Sequence, residues 1–430
     1  MADPIALSTR LIDSGVLDEP ANRITHELSE LDEGLAVVEA FSHCVLFATD
    51  EGLLAFDTSG GMAGDRVVPE IRRWSEAPFH TLVYTHGHID HVGGSGYFLA
   101  DGQRRGHKRP RVVGHENVSR RFDRYRLTNG YNVVINDRQF RGFQKHGYGI
   151  GGHRDFLPEE VLPVDTDYRD RLSFSVGGLE VELHHALGET DDHSWAWIPS
   201  RKTICAGDFF IWNFPNAGNP QKVQRYPGEW AVALRAMASM GAELFIPAHG
   251  LPIAGQERIA RVLGEVATTL ENLVAAVLEQ MNEGARLNDI IHSVRVPDEI
   301  LQKPYLVPLY DEPEFVIRNI WRLYGGWYDG NPAHLKPAHE PVLASEIAAL
   351  AGGARRLAER AHELSEQGDV RLACHLIEWA SAAASGDRGV QRLRAEVYQK
   401  RRDEERSLMA KGIFGYAAGE ARARAGDSGD

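Results

Sequence analysis

Residues 81–94 read TLVYTHGHIDHVGG, an apolar β-type run that ends in three histidines and one aspartate within six positions. No other stretch constrains the fold as much. His86 and His88 are two apart on an extended segment, so their side chains point the same way. Asp90 and His91 follow where the strand gives way to a turn and to a helix beginning near Val92. His86 and His88 can therefore share one ion while Asp90 and His91 reach a second. Imidazole and carboxylate without sulfur suit Zn²⁺, and also Fe or Mn. A lone histidine is usually a satisfied core or surface residue. An H-x-H-x-D-H cluster directly after a strand is far more specific.

Four residues cannot complete two metal sites, so the fold must bring further ligands to the same rim. Glu189 lies in LGETDDHSW, after a strand; Asp208 lies in CAGDFF and His249 in IPAHG, each at a strand end. Strand C-termini are the usual location of sites in layered α/β folds. Asp57, in LLAFDTSGG, is placed to orient a ligand histidine from behind, and His193 is a second candidate for that supporting role.

The surrounding pattern agrees with such a fold. Short β-type runs at 35–61, 81–88, 110–118, 172–186, 193–210 and 242–250 alternate with helical patterns such as 66–75 and 228–240. This predicts an α/β layered domain over residues 1–255. The composition then changes. Ile259, Val262, Val266, Leu270, Leu273 and Val277 fall at helical spacing, and residues 341–425 read as successive amphipathic helices resembling tetratricopeptide-type pairs. An all-α region over 256–425 and a frayed tail at 426–430 are expected.

Charge and cysteine usage exclude other classes. The formal net charge of −14 disfavours nucleic-acid binding. An anionic substrate would need a local positive centre. Cys44, Cys205 and Cys374 are far apart and form no CxxC, so neither a disulfide framework nor a thiolate zinc site is expected. No signal peptide and no membrane span are evident, which makes a cytoplasmic protein the expectation. The segment 101–126 is rich in Arg, Lys and His. It is open to two readings, a solvated face or a basic wall near an anion site.

Taken together, THGHIDH, LGETDDHS, AGD and PAHG resemble the motifs of the metallo-β-lactamase superfamily in order and spacing, over roughly residues 35–255. Where that superfamily usually has a histidine, this chain has Glu189, as the alkylsulfatase branch does. EPEFVIRNIWRLYGGWYDGNPAHLKP at 312–337 is similar to the dimerisation segment of that branch, and GDVRLACHLIEWASAA and LMAKGIFGYAAGEA to the helices after it. YDGNPAHL reads as a structural loop rather than a site.

The resemblance implies an αββα sandwich followed by an all-α dimerisation domain. It implies that His86, His88 and Glu189 bind one zinc, that Asp90, His91 and His249 bind another, and that Asp208 bridges where the branch usually carries glutamate. Asp90 and Asp208 are the candidates for a direct part in catalysis. Three carboxylates against two divalent ions leave a formal charge of about +1, enough to attract an anion. The implied reaction is hydrolysis of alkyl or aryl sulfate esters by a metal-bound hydroxide, in a homodimer with a small anionic substrate. The branch's Leu-Arg-Gly pattern after the bridging acid is missing; Lys222 and Arg225 stand there instead, with Arg225 the candidate substrate contact. Asn132, Asn136 and Arg138, in the insert 129–156, are further candidates for lining the cleft. Long members of the branch carry a sterol-carrier-like domain that is not expected here. Two other readings remain: a hydrolase of the same fold acting on another ester, lactone, phosphoester or β-lactam, and a helical interaction protein on an inactive frame.

Overall fold

In a computed structural model of the chain, residues 3–140 and 155–427 are described. The first sheet holds seven strands in sequence order: β1 (Leu28–Asp32), β2 (Leu35–Val38), β3 (Cys44–Thr49), β4 (Gly52–Phe56), β5 (Phe79–Val83), β6 (Arg111–His115) and β7 (Thr166–Tyr168). β1 to β4 run antiparallel, and β4 to β7 pair in parallel. The second sheet holds six: β8 (Arg171–Val176), β9 (Leu179–His185), β10 (Ser194–Ile198), β11 (Thr203–Gly207), β12 (Leu244–Pro247) and β13 (Ile253–Ala254), in the order β13-β12-β11-β10-β9-β8. Only β11 and β12 pair in parallel there.

Strand alternation explains why the β-runs are apolar throughout. In β3, Val45 and Phe47 point between the sheets, where they meet Val181, Leu183, Ala196 and Ile246 from the second sheet. Cys44 and Leu46 point the other way, onto helices α2 (Gly64–Trp74), α4 (Ser95–Arg104) and α5 (Glu116–Leu127). Both faces are covered, so both sets of side chains must be apolar. The second sheet repeats the scheme. Cys205 and Ile246 face inward, while Ile204, Ala206 and Phe245 pack on α1 (Pro4–Ser14), α7 (Pro227–Ser239) and α8 (Gln256–Asn282). The result is the expected αββα sandwich.

Two local expectations are refined. The run 110–118 is a strand only to His115, whose side chain accepts from the Asn117 amide and starts α5. The run 172–186 is a hairpin, β8 and β9, turned by Gly177 and Gly178 at φ of 49° and 83°.

The apolar stripe predicted for 256–281 is buried along α8 against the second sheet and α7. Compactness divides the chain into Met1–Val134 with Phe143–Gly326, and Ile135–Gly142 with Trp327–Asp430. The first unit thus includes α8 and the helices after it, α9 (Leu287–Ser293), α10 (Asp298–Leu301) and α11 (Pro313–Gly325). Among the described residues no strand follows Ala254. The second unit contains α12 (Pro332–Leu335), α13 (Glu340–Leu350), α14 (Ala354–Glu366), α15 (Val370–Ala383), α16 (Arg388–Glu404) and α17 (Leu408–Ala425), packed around Leu357, Ala361, Ile377, Val390 and Val397. YDGNPAHL forms a self-capped turn there. Asn331 accepts from the Ala333 amide, and Asp329 accepts from the Asn331 amide and pairs with His334.

Phe47 is 1% exposed between the sheets. Phe47→Ala is expected to destabilise the first unit by about 3–5 kcal/mol, read from chemical denaturation. A loss under about 1 kcal/mol would contradict this packing.

Candidate metal centre

The expected ligands converge from loops that follow strands of both sheets. β5 runs into Thr85, His86, Gly87 and His88, and the short helix α3 (Ile89–Val92) presents Asp90 and His91. β11 runs into Asp208 and β12 into His249, while the loop after β9 carries Glu189. Gly207, just before Asp208, has a φ of 56°, and a Cβ there would lie 2.8 Å from His193 Nε2. Only glycine allows that approach.

Two groups of ligand atoms form. His86, His88 and Asp208 offer atoms within 4.8 Å of one another, and so do Asp90, His91 and His249. His86 Nε2 and His88 Nδ1 are 2.9 Å apart. Asp208 Oδ2 lies 3.8 Å from His86 Nε2 and 3.4 Å from His91 Nε2, and Asp208 Oδ1 lies 3.4 Å from His249 Nε2. Asp90 Oδ2 is 3.4 Å from His249 Nε2 and 3.5 Å from His91 Nε2. Asp208 therefore touches both groups. Ligand atoms about 2.1 Å from a shared ion lie roughly 3.4 Å apart in tetrahedral geometry, so the spacing suits a cation at the centre better than direct hydrogen bonds. His91 Nε2 and Asp208 Oδ1 are moreover buried with no hydrogen-bond partner. Such atoms are costly unless an ion or another donor satisfies them.

The outer ring nitrogens are held so that the inner ones face the group. His91 Nδ1 lies 2.8 Å from Asp57 Oδ2 and 3.1 Å from Ser42 Oγ, and His249 Nδ1 bonds the Phe41 carbonyl. An Nδ1–H donated outward leaves an Nε2 lone pair directed inward. Asp57 also accepts from the Thr85 amide and hydroxyl, each at 2.8 Å, and Thr85 Oγ1 is 3.1 Å from His86 Nδ1. Asp57 does this from a left-handed φ of 57°, a conformation tolerated better by Asp than by most residues. The Asp208 amide donates to His193 Nε2 at 3.0 Å.

Glu189 is held differently. Its Oε1 accepts from Arg225 Nη1 at 2.8 Å and from Asn216 Nδ2 at 2.6 Å, and stands 3.5 Å from His88 Nδ1. Its Oε2 is buried without a partner. Of the residues considered for substrate, Asn132, on α6 (Asn129–Phe140), donates to Thr128 just before that helix. Asn136 is 3% exposed, and the Arg138 guanidinium lies 5.6 Å from the Tyr416 ring centre. The part of the insert at 141–154 lies outside the described residues.

Several supporting residues gave no sequence signal. Asp192 accepts from the Gly87 amide at 3.0 Å and pairs with buried Arg121 at 2.7 Å, bracing the His86–His88 turn. Asp311 accepts from the amides of Gly218 and Asn219 at 2.6 and 3.1 Å, which fixes the loop bearing Asn216. Asn319 donates to the Arg225 carbonyl at 2.9 Å. The basic segment 101–126 is paired in part: Arg105 with Asp101 and Glu76, Arg109 with Asp165, Arg126 with Asp123, and Arg121 with Asp191 and Asp192.

Burial and neighbouring charge set the protonation of the centre. Burial disfavours charge on His91 and His249. Against it, the carboxylates of Asp208 and Asp90 push His91 well above the imidazole range and His249 up to about 10. Burial and adjacent imidazoles hold His86 well below that range; burial and the arginines Arg121 and Arg225 do the same for His88. Burial raises the Glu189 carboxyl to about 8 against the opposing pull of Arg225. A centre with two protonated imidazoles between carboxylates is one that divalent cations can enter by displacing protons.

The metallo-beta-lactamase superfamily description matches residues 37–249, the stretch that supplies every ligand candidate. That stretch is therefore similar to the metallo-β-lactamase superfamily in sequence as well as in fold. Residues 286–424 match the alkyl sulfatase dimerisation family. A linear primary-alkylsulfatase of Pseudomonas sp. is 25% identical over 81% of this chain and 68% of its own length. An (R)-specific secondary-alkylsulfatase of Pseudomonas sp. is 22% identical over 87% of this chain and 59% of its own, and an alkyl/aryl-sulfatase of Saccharomyces cerevisiae is 20% identical over 76% and 53%. The solved stereoselective inverting sec-alkylsulfatase from Pseudomonas sp. superposes with a TM-score of 0.80 over 94% of this chain and 66% of that one, at 20% identity. The chain thus spans between about half and two thirds of the length of these relatives. Among the described residues no helix is long and apolar enough to cross a membrane.

The Asp192 carboxyl is held at about 2: burial raises it, but Arg121 and the Gly87 amide pull it down further. A depressed carboxylate contributes stability above its ordinary value of 3.8 and loses it as pH falls through its folded value. Asp192→Asn is therefore expected to be destabilised at neutral pH, with the gap from wild type closing between about pH 4 and pH 2. Denaturation of both proteins across that range checks this, and a gap independent of pH contradicts it.

Proposed function

We propose that this chain hydrolyses alkyl sulfate esters, with aryl sulfates as a related substrate class, using two divalent metal ions, zinc in the first instance and Fe or Mn as alternatives. One observation carries the reading: two ligand groups meet at Asp208 in a chain similar over most of its length to alkylsulfatases. His86, His88 and Glu189 would hold one ion, Asp90, His91 and His249 the other, and Asp208 would lie between them. When bound, such ions acidify water to near neutral pH and stabilise the charge on a departing oxyanion.

The chain's own residues prepare that chemistry. Asp57 and the Phe41 carbonyl keep the Nε2 atoms of His91 and His249 turned inward. Asp90 and Asp208, aligned with those imidazoles, accept protons or fix the nucleophilic water. Lys222 lies within electrostatic reach of Asp90 and Glu189, with its ammonium 5.8 Å from the Phe156 ring centre. A cation beside an aromatic face suits an anionic head group that carries an apolar chain. Asn132 is proposed as a further substrate contact. In the same reading residues 1–255 carry the chemistry, 256–425 serve assembly as a homodimer, and the protein is cytoplasmic.

Sulfate release from primary and secondary alkyl sulfates tests the activity. Lactone or nitrocefin opening without any sulfate release would move the reading to another ester or amide. Asp208→Ala is expected to lower metal content and turnover together by at least about 10²-fold in rate, and unchanged turnover contradicts its bridging place. Sedimentation is expected to give twice the 47.7 kDa chain mass; a single chain at micromolar concentration contradicts the dimer.

A further inference from the structure

Arg225 is a substrate-contact candidate on sequence grounds, yet its guanidinium is turned elsewhere. The side chain is 1% exposed. Its Nη1 donates to the Glu189 carbonyl at 2.8 Å and pairs with Glu189 Oε1 at the same distance. Asn216 donates to that oxygen as well. Both donors are anchored from a distant part of the chain. Asn319 on α11 bonds the Arg225 carbonyl, and Gln224 in turn bonds Asn319. Asp311, just before α11, holds the amides at 218 and 219 beside Asn216. The same carboxylate keeps a second oxygen, Oε2, buried and without a partner.

We propose that Arg225, with Asn216, is a positioning residue that clamps one oxygen of Glu189 and so presents the carboxylate to the ion shared with His86 and His88. The inference rests on the proposed metal-binding role of Glu189. Its physical basis is geometric. A glutamate has free side-chain torsions, and two donors on one oxygen remove that freedom, which raises the fraction of molecules with the ligand in place. Lysine in its place would keep the charge but lose the planar guanidinium that holds Nη1 against both the carbonyl and the carboxylate of Glu189. The anchors Asp311 and Asn319 lie far along the sequence from the ligands, so α11 and the segment before it support the site from behind.

The experiment is zinc binding to the full-length protein, measured by chelator competition and by metal analysis after gel filtration, with turnover of an alkyl sulfate recorded beside it. Wild type is expected to hold about two zinc ions per chain. Arg225→Met is expected to weaken one of the two by about 10–100-fold and leave the other near its wild-type affinity. Arg225→Lys is expected to fall between them. Asn216→Ala, which keeps the arginine, is expected to weaken the same equivalent by a smaller factor, and it carries the test should Arg225→Met not fold. Two zinc ions bound to Arg225→Met with unchanged affinity, together with a raised KM, overturn the clamp and return Arg225 to the substrate. Wild-type protein that binds no zinc overturns the metal reading itself, a result distinct from the first.

Discussion

Asp90, Asp208 and Glu189 are brought together with His86, His88, His91 and His249 in a site where His86, His91, Glu189 and Asp208 are buried and His88, Asp90 and His249 are half-buried. Burying carboxylates costs several kcal/mol each unless opposite charge offsets the loss of solvation. Within the chain that charge comes from the protonated imidazoles of His91 and His249 and from Arg225 at Glu189. Divalent cations can replace the protons and satisfy His91 Nε2 and Asp208 Oδ1, which otherwise lack partners. Much else in the first unit follows from this demand. β5 in the first sheet and the neighbouring β11 and β12 in the second all run into ligand-bearing loops, and Gly207 allows the close approach to His193 that sets the Asp208 backbone.

Support for the centre is layered. Asp57 reaches His91 directly and His86 through Thr85. Arg121 and Asp192 form a buried pair that holds the Gly87 amide. Breaking such a pair leaves an uncompensated charge, so it acts as a rigid brace rather than as a source of net stability. Asp311 and Asn319 extend the support into the region that matches the dimerisation family. A segment matched to assembly therefore also contributes to the surroundings of Glu189. That coupling follows from α9, α10 and α11 belonging to the same compact unit as the sheets.

The ligand cluster was legible because its members sit in short motifs at strand ends, where local spacing alone fixes direction. The sandwich was legible because both faces of each sheet are covered, which makes the strands uniformly apolar. The strand-to-helix switch at His115 was not, since a histidine cap looks like any polar residue until its bond to Asn117 is seen. Nor were Arg121 and Arg225. Each is nearly fully buried, but a buried arginine and a surface arginine read alike in a sequence, and their partners lie 71 and 36 positions away. Arg121 lies within a basic segment that reads by composition as a solvated face or an anion wall; its actual use is internal.

The central claim is that the two ligand groups are halves of one dinuclear centre. Anomalous X-ray diffraction at the zinc absorption edge, from crystals of the zinc-loaded full-length protein, tests it most directly. Two peaks about 3.5–4 Å apart are expected. One should be bounded by His86, His88 and Glu189 and the other by Asp90, His91 and His249, with Asp208 touching both. A single peak, or peaks away from these residues, would contradict it.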